Sequence, residues 1–400
     1  MSSEIADTLL NVNALDYGMP PIPSIATGRT QISVFPQTVT ASAGGNVIFN
    51  VSSGSQFIHG PTSYIVVDVA VTGGDATTRV NSVESLFSNV VVTAQNGVEL
   101  CRVNNFPVHA VKQRWQYSFN KRELTMATGG VYAQTSGTTR FILRLDSIPI
   151  FKNKNLLPPQ LMEGLRIQLT VNSINHAFKA PTVAAPVTAF TVTPTLKLDA
   201  VTLADTFLRR VNEISASSGL VLLHEEPFHS EATSNTPNLN ISINKACSKA
   251  TEFVLFSRET ADVEDVTKDS YSMEPYNFSS IQLQAGSQYY PIQPLTQSAT
   301  GLRTSTEAYH YSLINLAPDY KCSALYSYFY QAHNTVLGCE ACFGQNLREG
   351  DDPMTGVLLN NSRSLLVSAV LGSTANRLFT AYLSHVRLIR CFNNSTVVRD

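Results

Sequence analysis

The sequence predicts an all-β chain, two tandem antiparallel jelly-roll β-sandwiches with a few short helices, and three observations predict it. Short runs alternate apolar and polar residues and are bounded by Gly, Pro and Asn clusters, the pattern of half-buried antiparallel strands. One run occurs twice. Phe87-Ser88-Asn89-Val90-Val91-Val92-Thr93-Ala94 aligns without a gap to Phe278-Ser279-Ser280-Ile281-Gln282-Leu283-Gln284-Ala285, an offset of 191 residues. The length, 400 residues, suits two domains of about 200, each able to bury its own core.

Residues 1–30 hold Pro20, Pro21 and Pro23 without periodicity and read as an N-terminal arm. A first jelly roll follows over residues 31–205. Its strand signals begin at Asn46–Val51 and Tyr64–Val71, the latter ending at Gly73-Gly74. In the repeated run Val90, Val92 and Ala94 face one way; Asn96-Gly97 supplies the positive φ of a tight turn, and Val98-Glu99-Leu100 starts the return strand. From Pro107 to Ser118 the period changes. Val108, Val111 and Trp115 fall at i, i+3 and i+7, with Pro107 suited to a first helical turn. Strands resume at Arg140–Asp146, and a short helix is expected near Leu156–Met162. Leu165, Ile167, Leu169 and Val171 give a clean period-2 strand. Residues 180–195, rich in Pro, Thr, Ala and Val, read as extended loop, and Leu196, Leu198 and Ala200 as a closing strand.

Residues 206–219 are the expected linker: Leu203, Phe207 and Val211 suggest helical turns that run into Ser215-Ala216-Ser217-Ser218-Gly219. The second jelly roll, 220–400, repeats the order. Its strands are expected at Leu220–Leu223, Leu239–Ile243, Phe253–Phe256, 278–285, 356–371 and 378–391. A helix capped by Thr306 carries Tyr309, Leu313 and Leu316 on one face. The Tyr-rich, Cys-containing region around 317–350 has no clear period and reads as an inserted loop region. Many short strands with one or two helices per half indicate sandwiches, and the spacing fits a jelly roll better than an immunoglobulin pattern.

Hydrophobic residues make up 43% of the chain and Asp, Glu, Lys and Arg only 14%, against ~25% in an average soluble domain. A chain with so little charge either buries much of its surface against other copies or has an unusually neutral exterior. Net charge is −2 with no Lys/Arg block, which disfavours direct genome binding, since phosphate neutralisation needs clustered cations. Residues 1–20 lack the pattern of a signal peptide, no apolar run approaches the ~18 residues of a membrane span, and six dispersed cysteines do not form a disulfide framework. These features lead us to discount the glycosylation sequon in Asn393-Asn394-Ser395-Thr396 and to expect a protein made inside a cell.

Chemistry-bearing patterns are few. Cys339-Glu340-Ala341-Cys342 has Cys322 and His333 upstream, but one tight pair with unpatterned partners falls short of four zinc ligands, so free loop cysteines are expected. His224-Glu225-Glu226-Pro227-Phe228-His229 spaces its histidines five apart and contains a helix-breaking proline, so a polar strand edge is expected instead of a metalloprotease helix. Asp262, Glu264 and Asp265, followed by Lys268-Asp269, lack the spacing of a calcium loop and read as a solvated loop. Trp115, the only tryptophan, is expected in the core. Neither a G-x-S-x-G nor a phosphate-binding Gly loop occurs, so no enzyme, cofactor, catalytic or metal site is expected.

The order of motifs resembles that of double jelly-roll major capsid proteins. Similar family segments are SLFSNVVVTAQNGVEL (85–100), FILRLDSIPIF (141–151), Leu156-Leu157-Pro158, GLRIQLTVN (164–172), Gln288-Tyr289-Tyr290-Pro291 and Glu307-Ala308-Tyr309. The resemblance covers most of 30–395 and points to polinton-like viruses, adintoviruses and virophages, within the adenovirus and tailless-phage capsid lineage. It implies homotrimeric, pseudo-hexagonal capsomers that tile the icosahedral shell of a DNA virus, contacts with penton and minor capsid or cement proteins, and no sequence-specific nucleic-acid binding. Localisation would be the virion; an inner membrane is neither implied nor excluded. The arm, with Leu9, Leu10 and Ile22, would serve assembly on neighbouring subunits or an inner layer. A penton or minor capsid role is disfavoured by the repeat. The alternative from another class is a two-domain lectin or carbohydrate-binding protein, for which Tyr326, Tyr328, Phe329 and Tyr330 are the candidate aromatics, without a carboxylate pair.

Overall fold

A computed structural model of the chain describes residues 26–117 except 75, 80 and 81; residues 121, 124, 125, 127 and 128; and residues 137–180 except 154. It further describes 187–267, 278–296, 306–316, 342–348, 355–360, 364–371, 376–392 and 395–400. Eight principal strands form the first sandwich: β1 (Ala26–Val34), β2 (Asn46–Val51), β3 (Tyr64–Gly73), β4 (Phe87–Thr93), β5 (Glu99–Asn104), β6 (Gly137–Arg144), β7 (Leu165–Val171) and β8 (Val187–Leu203). The second contains β9 (Leu220–Ser234), β10 (Asn238–Ile243), β11 (Cys247–Glu259), β12 (Phe278–Ala285), β13 (Gln288–Thr296), β14 (Phe343–Asn346), β15 (Leu365–Leu371) and β16 (Arg377–Phe392), with β17 (Ser395–Arg399) added along β16.

All pairings between these strands are antiparallel. The sheets of the first sandwich run β1-β8-β3-β6 and β2-β7-β4-β5, and those of the second β9-β16-β11-β14 and β10-β15-β12-β13. Adding eight to each strand number converts one sandwich into the other. Each has the jelly-roll order.

The repeat extends to a local defect. Val90 pairs with Leu169 and Ile281 with Ala369. Beside each pair the register shifts by one residue, leaving Ser88 and Ser279 as the extra residues of two β-bulges. Ser88 Oγ donates to the Thr170 carbonyl at 3.4 Å, and Ser279 Oγ to the Val370 carbonyl at 3.1 Å. A bulge placed identically and closed by the same side chain is difficult to attribute to chance; the two sandwiches are copies of one unit.

Period-2 burial explains the strands. Along β4, Phe87, Val90 and Val92 are buried, as are Leu165, Ile167, Leu169 and Val171 along β7. These residues form the first core, and Ile241, Ile243, Phe253, Leu283 and Val367 lie in the second. In both sandwiches a helix follows the fifth strand: α1 (Phe106–Arg114) and, beyond the second linking helix α2 (Asp205–Ser217), α3 (Thr306–Leu316). Pro107 stands in the first turn of α1, as its sequence suggests. Trp115 is buried, in keeping with a core role.

Four expectations change. Strand β1 takes up residues 26–30 of the stretch read as arm. Residues 187–195, read as loop, are the first half of the 17-residue β8, whose Phe190 and Val192 point inward. Pro194 is accommodated because it falls between the Ala41–Ser42 pairing and the start of the β1 pairing at Leu196, where β8 has a neighbour on one side only. The stretch read as linker is a regular helix, α2, that includes Ser215, Ala216 and Ser217. It ends at Gly219, whose φ of +75° is the left-handed C-terminal stop. Finally, β14 lies within the region read as an insertion; residues 317–341 lie outside the described residues.

Candidate functional site

The feature that sets the shape of the molecule is the seam between the sandwiches. It has an apolar part. Leu222 of β9, with Ile389 and Cys391 of β16, belongs to the apolar cluster of the first sandwich, so one core runs across the boundary. The rest of the seam is polar and buried. Its organiser is α1, all nine residues of which are buried, including His109, Lys112, Gln113 and Arg114. Helices of this composition ordinarily turn such residues to water; here Lys112 finds its partners on the second sandwich and the His109 ring lies 5.8 Å from that of Tyr382, while Gln113 donates to the Ser147 carbonyl of its own sandwich at 2.8 Å.

Lys112 Nζ lies 3.0 Å from Glu252 Oε1 and donates to Ser384 Oγ at 2.5 Å. Both ion-pair side chains are 6% exposed. Glu252 also accepts from Gln116 Nε2 at 2.7 Å, and Gln116 Oε1 accepts from Lys152 at 3.2 Å. Tyr382 Oη donates to the carbonyls of Asn104 and Asn105 at 3.0 and 2.8 Å. Asn105 has a φ of +50°, a conformation that asparagine tolerates well, and its amide donates to Glu231 Oε1 at 2.9 Å. Burial alone would raise the Glu231 pKa, but His229, Arg258 and Asn105 outweigh it and hold the carboxyl at about 2.

A second cluster gathers on Arg387. Its guanidinium binds Glu226 and lies 2.9 Å from Asp400 Oδ1, while the Arg102 backbone N–H donates to Glu226 at 2.9 Å. Lys245 holds the other oxygen of Asp400 at 2.8 Å. Burial pushes the Glu226 carboxyl above its ordinary pKa despite Arg387. Burial, with Arg387 nearby, depresses His224 to about 3; burial and Lys245 depress His385 to about 4. His109 falls well below its usual value for the same reason, next to Lys112. A cavity of about 330 Å³ opens between α1 and β9, lined by His109, Lys112, Lys152, His224 and Glu225 among others.

At the other end of the seam, buried Arg79 donates to the carbonyls of Phe178 and Asp265 at 3.0 and 2.8 Å. The Ala180 N–H donates to the Val266 carbonyl at 2.9 Å, and His176 meets Glu264 at 3.1 Å. Asn96, in the turn of the repeated hairpin, donates to the Thr396 carbonyl at 3.0 Å.

These contacts redefine several sequence candidates. His224-Glu225-Glu226-Pro227 lies on a strand, and Pro227 sits on an edge strand as expected of a missing N–H. The edge is not solvated: His224 and Glu226 are buried under the first sandwich, and Glu225 binds Arg348. Of the three carboxylates read as a solvated loop, Asp265 meets the first sandwich through its carbonyl, Asp262 is buried at 6% exposure, and Glu264 stays 69% exposed while meeting His176. Cys342 is buried; Cys322, His333, Cys339 and the aromatic run 326–330 lie outside the described residues. Among the described residues no group of three or more His, Cys, Asp or Glu is placed to hold a metal ion. Sequence reasoning missed Lys112, Glu252, Arg387 and Tyr382. For Lys112 the available signal was a helix with a good apolar spacing whose polar positions are His109, Lys112, Gln113 and Arg114, without a carboxylate among them.

None of the family models and none of the curated proteins compared matches the chain. Solved structures do. The VP54 structure of PBCV-1, fitted into a reconstruction of the virophage Sputnik, aligns with a TM-score of 0.65 at 14% identity, covering 96% of this chain and 99% of that one. The Sputnik virophage cryo-EM structure aligns at 0.60 and 12%, covering 96% and 90%. The mavirus major capsid protein aligns at 0.56 and 10%, covering 96% and 93%. At such identities the likeness establishes the fold: the chain is a double jelly roll from end to end of its described length.

Proposed function

We propose that the chain is the major capsid protein of an icosahedral virus and acts by self-assembly, without catalysis. One observation carries the reading: the same eight-strand order occurs twice in a chain that aligns over nearly its whole length with viral capsid proteins. Two copies of one unit per chain turn a trimer into a ring of six similar sandwiches, which is the shape needed to tile a shell with hexagonal units. The seam fits this use. A tile must keep its two halves in fixed relation, and an apolar core shared across the boundary, flanked by the buried Lys112–Glu252 pair, does so. In domain terms, the proposal is an arm through residue 25, sandwiches over 26–203 and 220–400, and α2 between them. Low charge leaves much of the exterior free for contacts between copies, and for penton and minor capsid or cement proteins. Genome binding by this chain is not part of the proposal.

Light scattering coupled to size-exclusion chromatography tests it. A stable species of three times 43.6 kDa is expected, and a monomer that persists at high concentration would remove the capsomer reading.

A further inference from the structure

Helix α2 keeps a strip of mixed character in water. Phe207 and Ile214 are 38% and 39% exposed, and exposed Arg210 falls between them, so the three share a face at i, i+3 and i+7. The adjoining side of the helix is seated: Leu208 and Val211 pack against Phe57, Val201 and Leu203, and Gln160 Nε2 donates to Asn212 at 3.0 Å. Arg209 and Arg210 are exposed and make no ion pair among the described residues. The helix is therefore held on one flank and offers an apolar–basic–apolar strip on the next.

The chain itself contains a complement. Residues 1–25 include Ile5, Leu9, Leu10, Val12, Leu15 and Ile22, three carboxylates at Glu4, Asp7 and Asp16, and neither Lys nor Arg. They join the fold beside the strip, because Ala26 pairs with Leu203 and α2 starts two residues later at Asp205. A 13-residue helix is about 20 Å long, a span that roughly six extended residues cover. Twenty-five residues tethered at that point reach the whole strip, and tethering favours the chain's own segment over one from a neighbour through effective concentration.

We propose that residues 1–25 dock in cis on the Phe207–Arg210–Ile214 face of α2, with apolar side chains against Phe207 and Ile214 and carboxylates against Arg209 and Arg210. The inference does not depend on the capsid reading. It places on the first-to-second sandwich link the segment that the sequence assigns to assembly on neighbouring subunits.

The test uses the full-length chain carrying the photoreactive residue benzoylphenylalanine in place of Phe207. Light and heavy-isotope chains are mixed in equal amounts in urea and refolded together, so that any oligomer contains both; irradiation followed by peptide mass spectrometry is then expected to give adducts to residues 1–25 of the same isotope. A Leu9→Asp/Leu10→Asp variant should lose them by roughly ten-fold or more, because the tether remains while the apolar contact is removed. Hydrogen exchange serves as a second reading that tolerates poor adduct yield: α2 amides should exchange several-fold faster in the Leu9→Asp/Leu10→Asp variant while β4 and β12 are unchanged. Adducts elsewhere in the chain, adducts joining light to heavy chains, or α2 exchange that ignores the substitution would overturn the proposal.

Discussion

Replacing Lys112 with Met removes one side of an ion pair in the seam whose two side chains are each 6% exposed. The Met side chain matches the stem of the lysine in volume, so packing changes little and the loss is electrostatic. Glu252 keeps the 2.7 Å bond from Gln116, its carboxylate remains 6% exposed, and the positive charges left to it are the more distant Lys152 and Arg348. Deleting one partner of a buried pair costs about 3–5 kcal/mol, whereas an exposed pair costs about 0–1 kcal/mol; burial on both sides places Lys112 in the first class. On melting, that is a fall of about 4–6 °C for a chain of 400 residues. Trp115, the only tryptophan, is 1% exposed and three residues beyond Lys112, so its emission reports on the seam during urea unfolding at fixed protein concentration. Adding Glu252→Gln removes the stranded charge and should recover most of the loss, leaving a coupling energy of about 2–3 kcal/mol in the double-mutant cycle. A loss below about 1 kcal/mol for Lys112→Met, or a double variant no better than the single, would show that the pair does not hold the seam.

Three further outcomes follow from the same geometry. His224 and His385 have folded pKa values of about 3 and about 4 and about 6.5 when unfolded; the unfolded chain binds the extra protons, so stability is full above pH 6.5 and declines as pH falls toward 4. A His224→Gln/His385→Gln variant should flatten that decline by up to roughly 1.4 kcal/mol per pH unit for each histidine, and an unchanged urea midpoint profile between pH 7 and 4 would contradict it. Gly60→Ala places a Cβ 2.3 Å from the Phe151 carbonyl oxygen, a backbone atom that cannot swing aside, and should cost about 1–3 kcal/mol or more; Gly28→Ala, with nothing nearer than 3.9 Å, should melt within about 2 °C of the parent. Cys101, Cys247, Cys342 and Cys391 are buried, and burial raises the thiol pKa of Cys101, Cys247 and Cys391. Aromatic disulfide reagents should therefore modify at most two of the six thiols quickly in the native chain and all six in urea; fast labelling of three or more would contradict the burial.

Much of the fold was legible because it rests on the alternation of apolar residues. Val90, Val92, Leu165, Ile167 and Leu169 announce their strands, and the echo at 278–285 announces the second copy. What the chain did not disclose depends on partners distant in sequence. Ser88 and Ser279 look like ordinary strand residues, because a bulge is defined by the opposing strand about 80 to 90 residues away. The threonine- and proline-rich start of β8 resembles a loop until β3 is placed beside it. The seam was least visible. His224-Glu225-Glu226 and the polar positions of α1 have the composition of solvated faces, and their burial becomes tolerable only once the two sandwiches meet, with Glu252 opposite Lys112 and the Arg102 N–H on Glu226, and once Arg387 of the neighbouring strand pairs with Glu226.

The central claim is that two copies of one jelly roll per chain make each trimer a near-sixfold tile. Electron cryomicroscopy of the purified oligomer tests it most directly. The account predicts class averages with a hexagonal outline, true threefold symmetry and six sandwich-sized lobes, two from each chain. Particles of any other symmetry, or a threefold assembly in which the two sandwiches of a chain do not occupy alternate corners of one ring, would contradict it.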